Sequence, residues 1–535
     1  MRHILRLLSG MGSTGILWGV LSCTPRPSPT VEQGPPADDC ALLPGPAEVG
    51  GAVVIALTDE VDPARAPMPR NASERLLFAH FYETLLRIDC RGRVMPGLAD
   101  RWEPQDDWRQ WRLTLRRGAR FWDGTRVTAA DVVSGWRLAE RESSAGIVYP
   151  WIDAAIAFDD STVVVSGNEP RGRVPEELAY PAYAVTKPPD VSGWRLGTGA
   201  HRPDGPYIRA GARGGGQGSS PPPAVISAYP VGSRSWTLLQ FRLAANSDPR
   251  DLLDDGVDLL IADGSVREYS ATLPNYVSVP LLWDKTYVLL SPSSAAVAGF
   301  AAALPPEARN ALARDVVSPD ARGTEPSSWW YGELRECGFV LADAPLLGAR
   351  PAPRIAYLRS DVHARALAER LVAVGGSLGA LGAEPGAAAW ANSRRAADTR
   401  APAVGGERGK PDSSLRGVGL DPVPFESALR AGNEVAYVLA VRILGAPSCS
   451  DMRTLLERAP WLAWRQSERP FTPPPPIAAE AGAVEDVPAF GEHILPLVET
   501  RPWLIARAGL AGIQGARDGT PCLDGIGWRQ RGSAP

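Results

Sequence analysis

The spacing of apolar residues in the first quarter of the chain predicts a helix. Leu77, Phe81 and Leu85 recur every four residues, which places them on one face of a helix. Asn71 and Glu74 stand three residues apart at the head of this run, which is capping-box spacing. We therefore expect an amphipathic helix that begins next to Asn71.

A strand, a turn and a second helix are predicted further along. In the segment WRLTL, which begins at Trp111, apolar and polar residues alternate, as in a strand with one solvated face. Asp123-Gly124 is a turn signal. Thr128 and Asp131 then have the spacing to cap a helix that buries Val132.

Other apolar segments predict buried strands. The run GAVVIAL at 51–57 and the run LLWDKTYVLL at 281–290 are apolar enough for the interior of a sheet. The segment at 425–444 reads as a helix, a turn and a strand. Helices that alternate with buried strands predict an α/β protein.

The first of these stretches also carries a series of short motifs in a fixed order. They are Tyr82-Glu83-Thr84-Leu85, Asp89, Gly92, Pro96, Leu98-Ala99, Trp102, Arg117-Gly118-Ala119, Trp122-Asp123-Gly124-Thr125 and Thr128-Ala129-x-Asp131-Val132. In order and spacing this series resembles the family 5 extracellular solute-binding proteins, the oligopeptide- and nickel-binding receptors of ABC importers. The resemblance extends from about residue 50 to 515 and is patchy beyond 320.

The resemblance implies a periplasmic-binding-protein type II-like fold, with two lobes joined by a hinge and an extra domain inserted in the first lobe. By this comparison the first lobe comprises residues 49–81, 190–282 and 486–535. The inserted domain is 82–189 and the second lobe is 283–485. The loop at Asp62-Pro63 would border the ligand cleft.

The N-terminal residues predict an exported lipoprotein. A short basic start is followed by an apolar run and by Val20-Leu21-Ser22-Cys23, which is the pattern of a signal peptide whose cysteine is acylated. We therefore expect a signal peptide at 1–23, lipidation of Cys23 and a proline-rich tether at 24–48. The protein would be extracytoplasmic and lipid-anchored to a bacterial membrane facing the periplasm, with the choice of membrane left open.

Length, charge and cysteine usage narrow the picture further. The 535 residues suggest two or three domains. A net charge of −4 indicates no nucleic-acid partner. Five cysteines remain besides Cys23, and one or two disulfides are expected among them, with Cys449–Cys522 as a first guess. The five cysteines are Cys40, Cys90, Cys337, Cys449 and Cys522. Neither the cysteines nor the five scattered histidines have metal-ligand spacing, so no metal or cofactor is predicted.

These features together predict a binding protein that is not an enzyme. It would hold a small solute between its lobes, with a peptide as the default, and deliver it as a monomer to an ABC permease in the cytoplasmic membrane. The predicted ligand-binding residues are Tyr149, Trp151, Trp283, Tyr287 and Arg442. Aromatic rings would supply stacking area, and Arg442 would pair with a carboxylate. Core packing competes with ligand contact at Trp283 and Tyr287, and a surface role competes at Arg442.

Two alternatives stay open. The chain would serve as a surface sensor or scaffold if it had lost transport. A secreted serine hydrolase is the other alternative, because Gly375-Gly376-Ser377-Leu378-Gly379 satisfies the G-x-S-x-G pattern and Asp421 and His493 follow in hydrolase order. However, the residues before Ser377 look helical, and a nucleophile elbow needs a strand there.

Overall fold

The computed structural model describes residues 40–47, 51–142, 154–167, 174–189, 192–205, 224–231, 237–245, 247–324, 339–340, 351–377, 414–442, 455–466, 491–516 and 518–529. The predicted signal peptide, Cys23 and the first part of the predicted tether lie outside these residues. Among the described residues, none of the helices combines the length and the apolar character that crossing a membrane requires.

The secondary-structure elements are numbered in chain order. The strands are β1 Ala41–Leu43, β2 Ala52–Leu57, β3 Leu86–Ile88, β4 Val94–Pro96, β5 Ala99–Gln105, β6 Gln110–Leu115, β7 Ala154–Ala157, β8 Thr162–Ser166, β9 Lys187–Pro189, β10 Arg195–Leu196, β11 His201–Pro203, β12 Val225–Pro230, β13 Leu238–Leu243, β14 Leu259–Ala262, β15 Tyr276–Pro280, β16 Lys285–Leu290, β17 Arg322–Gly323, β18 Phe339–Val340, β19 Ala352–Leu358, β20 Arg416–Leu420, β21 Glu434–Arg442, β22 Arg465–Gln466, β23 Ile494–Thr500, β24 Trp503–Arg507, β25 Leu510–Ala511, β26 Ile513–Gly515, β27 Pro521–Cys522 and β28 Gly527–Trp528. The α-helices are α1 Ala72–Phe81, α2 Ala129–Glu142, α3 Val174–Glu177, α4 Pro249–Asp254, α5 Gly264–Ser270, α6 Ser294–Ala303, α7 Pro306–Leu312, α8 Val362–Ser377 and α9 Pro422–Ala431. Short 3₁₀ turns lie at Pro63–Arg65, Pro181–Tyr183 and Pro460–Leu462, and a π-helical turn at Ala313–Val317.

The first lobe is built on a seven-stranded sheet in the order β11-β12-β13-β2-β14-β24-β15. Strand β2 is central and runs parallel to both β13 and β14. Ile55 packs on one face with residues of α1, and Ala56 packs on the other with residues of α4 and α5. The apolar run at 51–57 is therefore a strand buried on both faces, as predicted, because helices cover the sheet on both sides.

The second lobe is built on a six-stranded sheet in the order β17-β23-β16-β21-β19-β20. Strand β16 pairs antiparallel with β21 and β23. Residues of α6 and α8 cover one face and residues of α9 the other. The two mixed sheets with helices on both faces confirm the predicted α/β class.

The chain crosses between the two sheets twice. Residues 281–284 lead from β15 to β16, and residues 501–502 lead from β23 back to β24. Strand β23 hydrogen-bonds to β16 within the second sheet. The predicted return to the first lobe at 486 is therefore too early, because Ile494–Thr500 still belongs to the second lobe.

A four-stranded sheet in the order β5-β6-β8-β7 forms a separate core with α2. Its elements lie within the segment predicted as the inserted domain. Trp111, Leu113 and Leu115 are buried here, as their alternation predicts. Thr128 and Asp131 cap α2 reciprocally, since each side chain accepts the other residue's backbone amide.

The folded body begins earlier than the predicted tether allows. Cys40 forms a disulfide with Cys90, and Ala41–Leu43 pairs with β26. The tether prediction is therefore wrong for residues 40–47, because the apolar Leu43 is buried in the first lobe. The guessed bridge Cys449–Cys522 is also wrong: Cys522 is a free thiol, and Cys449 lies outside the described residues.

Candidate ligand-binding site

A cavity of about 650 Å³ lies at the carboxyl ends of β2 and β13, in the first lobe. Ligands of open α/β sheets bind at this edge, because loops from adjacent parallel strands diverge there. We call this cavity the acidic pocket. It is lined by Asp59, Glu60, Val61, Asp62, Pro63, Ala64, Arg70, Ser192, Gly193, Leu243, Ala244, Ala245 and Ser247.

The loop that follows β2 is held in place by the first turn of α1. Asn71 caps this helix by accepting the backbone amide of Glu74, as the sequence predicts. The Glu74 carboxylate does not complete the capping box; it accepts the backbone amides of Asp62 at 3.0 Å and of Arg70 at 2.6 Å. Ser73 donates its hydroxyl and its amide to Asp59. These hydrogen bonds attach the loop that forms the pocket wall to the buried first turn of α1.

The charge of the pocket is predominantly negative. Asp59, Glu60 and Asp62 line it, and Arg70 is the single basic residue among the described residues of the lining. Arg70 forms an ion pair with the buried Glu74, at 3.0 Å. Glu60 is exposed. Several carboxylates on one concave surface create a local potential that favours cations, so the pocket suits a positively charged group.

This edge of the first sheet faces the second lobe. Helix α5 begins directly after β14 and contacts the segment that precedes β17. Arg267 of α5 lies 3.6 Å from Asp320. A Cβ atom added at Gly264 would lie 2.9 Å from the Asp320 carboxylate, so the backbone of α5 and the segment before β17 are in close contact there. Because β2 and β14 are parallel neighbours, the acidic pocket opens on the edge that meets the second lobe.

Tyr287 lies in the core of the second lobe. Only 2% of its surface is exposed. Its hydroxyl lies 3.3 Å from the Asp361 carboxylate and 3.4 Å from the His363 ring. Burial raises the pKa of Tyr287 above its ordinary value. This environment favours the packing interpretation over ligand contact.

Trp283 lies in the first crossing between the lobes, where two arginines cover its ring. The guanidinium of Arg322 is 4.2 Å from the ring centroid and that of Arg501 is 4.9 Å. Arg322 also forms an ion pair at 2.7 Å with the buried Glu499. Burial lowers the pKa of Arg501. Trp283 is therefore part of a cation–π cluster at the first crossing between the lobes.

The remaining predicted ligand residues are partly or wholly outside the described structure. Tyr149 and Trp151 lie outside it. Arg442 is described in its backbone alone, at the end of β21, where it pairs with Lys285 of β16. Trp283 and Arg442 are thus brought to the same end of two neighbouring strands.

The serine-hydrolase alternative lacks the required backbone. Ser377 is the last residue of helix α8 and does not stand on a strand-to-helix turn. Asp421 forms an ion pair with Arg359 at 3.1 Å. His493 is buried, and its Nδ1 atom lies 3.0 Å from the Ser291 carbonyl oxygen. The helix that ends at Ser377 agrees with the expectation that this glycine pair lies at a helix end rather than on a nucleophile elbow.

Two groups of residues were not found by the sequence analysis. The first group is the acidic pocket. The sequence predicted only that the loop at Asp62-Pro63 borders the cleft, because nothing in the spacing of Asp59 and Glu60 marks them as a site. The second group is formed by His80, His201 and Asp524, whose ligand-type atoms lie within 4.8 Å of one another. Their separation in the sequence hides any metal-ligand spacing.

Comparisons with known proteins agree on one class. The family model described as "Bacterial extracellular solute-binding proteins, family 5 Middle" matches residues 93–211. A probable peptide ABC transporter periplasmic-binding protein of Sinorhizobium fredii is 33% identical over 111 residues, which is 21% of this chain and 21% of that protein. The periplasmic murein peptide-binding protein MppA of Escherichia coli is 29% identical over 123 residues, which is 23% of this chain and 21% of that protein. The matched stretches thus span about a fifth of the length of these curated relatives.

The likeness in three dimensions extends much further. The crystal structure of the ABC transporter substrate-binding protein CtaP from Listeria monocytogenes superposes with a TM-score of 0.63 at 12% identity, covering 90% of this chain and 100% of that one. Two α/β lobes joined by two crossings are shared with these proteins, so the chain has the type II-like fold. Over residues 93–211 the chain is thus similar to the family 5 extracellular solute-binding proteins, and its fold as a whole is similar to that of CtaP.

Proposed function

We propose that this protein is the substrate-binding component of an ABC importer and that its solute carries a protonated amine, as a peptide does. The observation that carries the proposal is the acidic pocket at the carboxyl end of β2. Its carboxylates can accept hydrogen bonds from an ammonium group. Hydrogen bonds between ionised groups are stronger than those between neutral groups. Two of the similar proteins are described as peptide-binding, which supports the same class of solute.

In this proposal the two crossings at 281–284 and 501–502 act as the hinge. Closure would bring the second lobe over the pocket, and Tyr149, Trp151 and Arg442 would add stacking area and a partner for the solute's carboxylate. The Arg322–Trp283–Arg501 stack lies at this hinge, so we assign Trp283 a role in lobe orientation.

The proposal places the protein outside the cytoplasm as a monomeric lipoprotein. The pattern of residues 1–23 supports an acylated Cys23 in a bacterial membrane facing the periplasm. The closed, solute-bound form would be recognised by a permease in the cytoplasmic membrane. A sensor or scaffold of the same fold is the alternative, and it predicts no exchangeable solute.

The first experiment is native mass spectrometry of the chain purified gently from its own host. We expect a bound mass that is lost on denaturation and that contains a primary amine. Thermal-shift measurements with peptide pools follow. No bound mass, together with no thermal shift from peptide pools, would contradict solute binding and support the scaffold alternative.

The role of the pocket is tested by the variant Glu60→Gln, which removes a charge and keeps the shape. We expect peptide affinity to fall about 10-fold, or ~1.4 kcal/mol. The matched control is Glu307→Gln, an exposed acidic residue on α7 in the other lobe. Equal affinities for the two variants would contradict the assignment of the acidic pocket.

A further inference from the structure

Two histidines and an aspartate meet on the first lobe, away from the acidic pocket. His80 stands near the end of α1, His201 begins β11, and Asp524 follows β27. We call these three residues the histidine cluster. One nitrogen or oxygen atom from each lies within 4.8 Å of the others. The Nδ1 atom of His80 and the Oδ1 atom of Asp524 are 3.6 Å apart.

Both imidazoles are buried, with 2% of His80 and 0% of His201 exposed. Within the described part of the chain, neither ring nitrogen of His80 has a hydrogen-bond partner, and Nδ1 of His201 has none. Buried polar atoms are normally satisfied, so three such nitrogens on two adjacent rings require an explanation. They point to a group that would occupy the space between the rings and the carboxylate.

The environment of His201 prepares one nitrogen for coordination. Its Nε2 atom lies 3.3 Å from the backbone carbonyl oxygen of Thr237. A carbonyl can only accept, so Nε2 carries the proton and Nδ1 presents its lone pair. Histidine ligands of metals usually donate their second N–H to a carbonyl or carboxylate in this way.

We propose that the histidine cluster binds a divalent transition-metal ion of the zinc class, through His80, His201 and Asp524. Two imidazoles and one carboxylate form a donor set that zinc accepts. Ligand atoms at about 2.0–2.1 Å from zinc in a tetrahedron are about 3.3 Å apart. The distance between His80 and Asp524 already approaches this value, and His201 needs a shift of the order of an ångström.

The fourth coordination position would open towards a second cavity. His80, Asp524 and Cys522 all line this cavity, whose volume is about 330 Å³. A water molecule or the nearby Cys522 thiol would complete the coordination. Structural zinc sites are closed by four protein ligands, whereas sites with three protein ligands keep one position for water or another small ligand.

A bound metal would also connect distant parts of the first lobe. The ligands come from the last turn of a helix, from an edge strand and from the C-terminal segment. Thr237 already connects two of these regions, because its hydroxyl donates to the carbonyl oxygen of Ile526 at 2.7 Å. The metal would therefore hold the C-terminal segment against α1. This inference is independent of the proposed solute.

The test uses the full chain, stripped with a chelator and then dialysed against Zn²⁺. Elemental analysis is expected to find one zinc per chain. Co²⁺ in place of zinc is expected to give the visible absorption of a four-coordinate site. This measurement uses the unmodified chain and requires no mutation. Failure of the unmodified chain to retain Zn²⁺ and to give this spectrum would overturn the proposal in favour of a metal-free histidine–aspartate network.

Variants then assign the ligands. Asp524→Asn changes a partly exposed residue and should weaken zinc binding by about 10-fold or more, with loss of the thermal shift that zinc gives the unmodified chain. His201→Asn should abolish binding. His363→Asn, which alters a histidine of the second lobe, is the control and should bind zinc normally. Unchanged zinc affinity in folded Asp524→Asn and His201→Asn would contradict the assignment.

Discussion

The carboxylate of Glu74 accepts the backbone amide of Asp62 at 3.0 Å, and this bond ties the first turn of α1 to the wall of the acidic pocket. Glu74 is fully buried, and its two oxygens accept three donors from Asp62 and Arg70. A residue that reads in the sequence as half of a capping box thus positions a candidate binding loop.

The variant Glu74→Gln is expected to lower the free energy of unfolding by about 1.5–3 kcal/mol. Glutamine keeps one acceptor oxygen, and its amide group would face a donor N–H, so at least one bond is replaced by a clash of donors. Urea unfolding measures the change, and peptide affinity should fall with it. The control Glu426→Gln alters a partly exposed pair with Arg458, in which neither side chain is buried, and should change stability by less than about 1 kcal/mol. A fully stable Glu74→Gln would contradict this account.

The variant Tyr287→Phe separates core packing from ligand contact. We expect the free energy of unfolding to fall by about 1 kcal/mol, because the hydroxyl loses Asp361 and His363, while peptide affinity stays the same. Tyr437→Phe is the matched control, since that hydroxyl is also buried in the second lobe and donates to the Ala428 carbonyl oxygen at 2.7 Å. If Tyr287→Phe lost peptide affinity with an unchanged free energy of unfolding, and Tyr437→Phe did not, Tyr287 would again be assigned as a ligand residue.

Asp258 is expected to make stability depend on pH. Burial raises the pKa of this carboxyl above its ordinary value, against the opposing effects of the Val54 amide and of Arg507. The folded state therefore holds the proton more tightly than the unfolded state. The stabilising contribution is full below the ordinary pKa, about 3.9, and is lost as the pH rises through the folded value.

The variant Asp258→Asn isolates this effect, because its amide side chain does not titrate and can still accept the backbone amide of Val54. We expect the free energy of unfolding of the variant, relative to the unmodified protein, to increase as the pH rises from about 4 to about 7. Urea unfolding at several pH values measures the difference. A relative decrease over this range would show that Arg507 outweighs burial.

The local elements were predictable from the sequence. The cap at Asn71, the reciprocal cap of Thr128 and Asp131, and the buried alternation after Trp111 all depend on residues within a few positions of one another. Such contacts are set by the geometry of one turn or one strand, so they can be predicted without knowledge of the rest of the chain. The order of the motifs likewise indicated a resemblance to the family 5 solute-binding proteins, whose family model matches residues 93–211.

The candidate site was predicted less well. The loop at Asp62-Pro63 was expected to border the cleft, but the role of Glu74 behind it depends on how that loop folds back over α1. Trp283 and Tyr287, two residues on the same segment, received the same prediction. One lies against two guanidinium groups at the crossing and the other in a core, because the packing partners come from elsewhere in the chain.

By itself the sequence determined the α/β class, the capped helices and the buried strands, since each follows from periodicity or from a short motif. Only the tertiary structure decided that Cys40 pairs with Cys90, that β23 belongs to the second lobe, and that His80 and His201 meet Asp524. These relationships join segments far apart in the chain. They are set by strand pairing and by the burial of apolar surface across the whole fold. The spacing of neighbouring residues in the sequence contains no information about either.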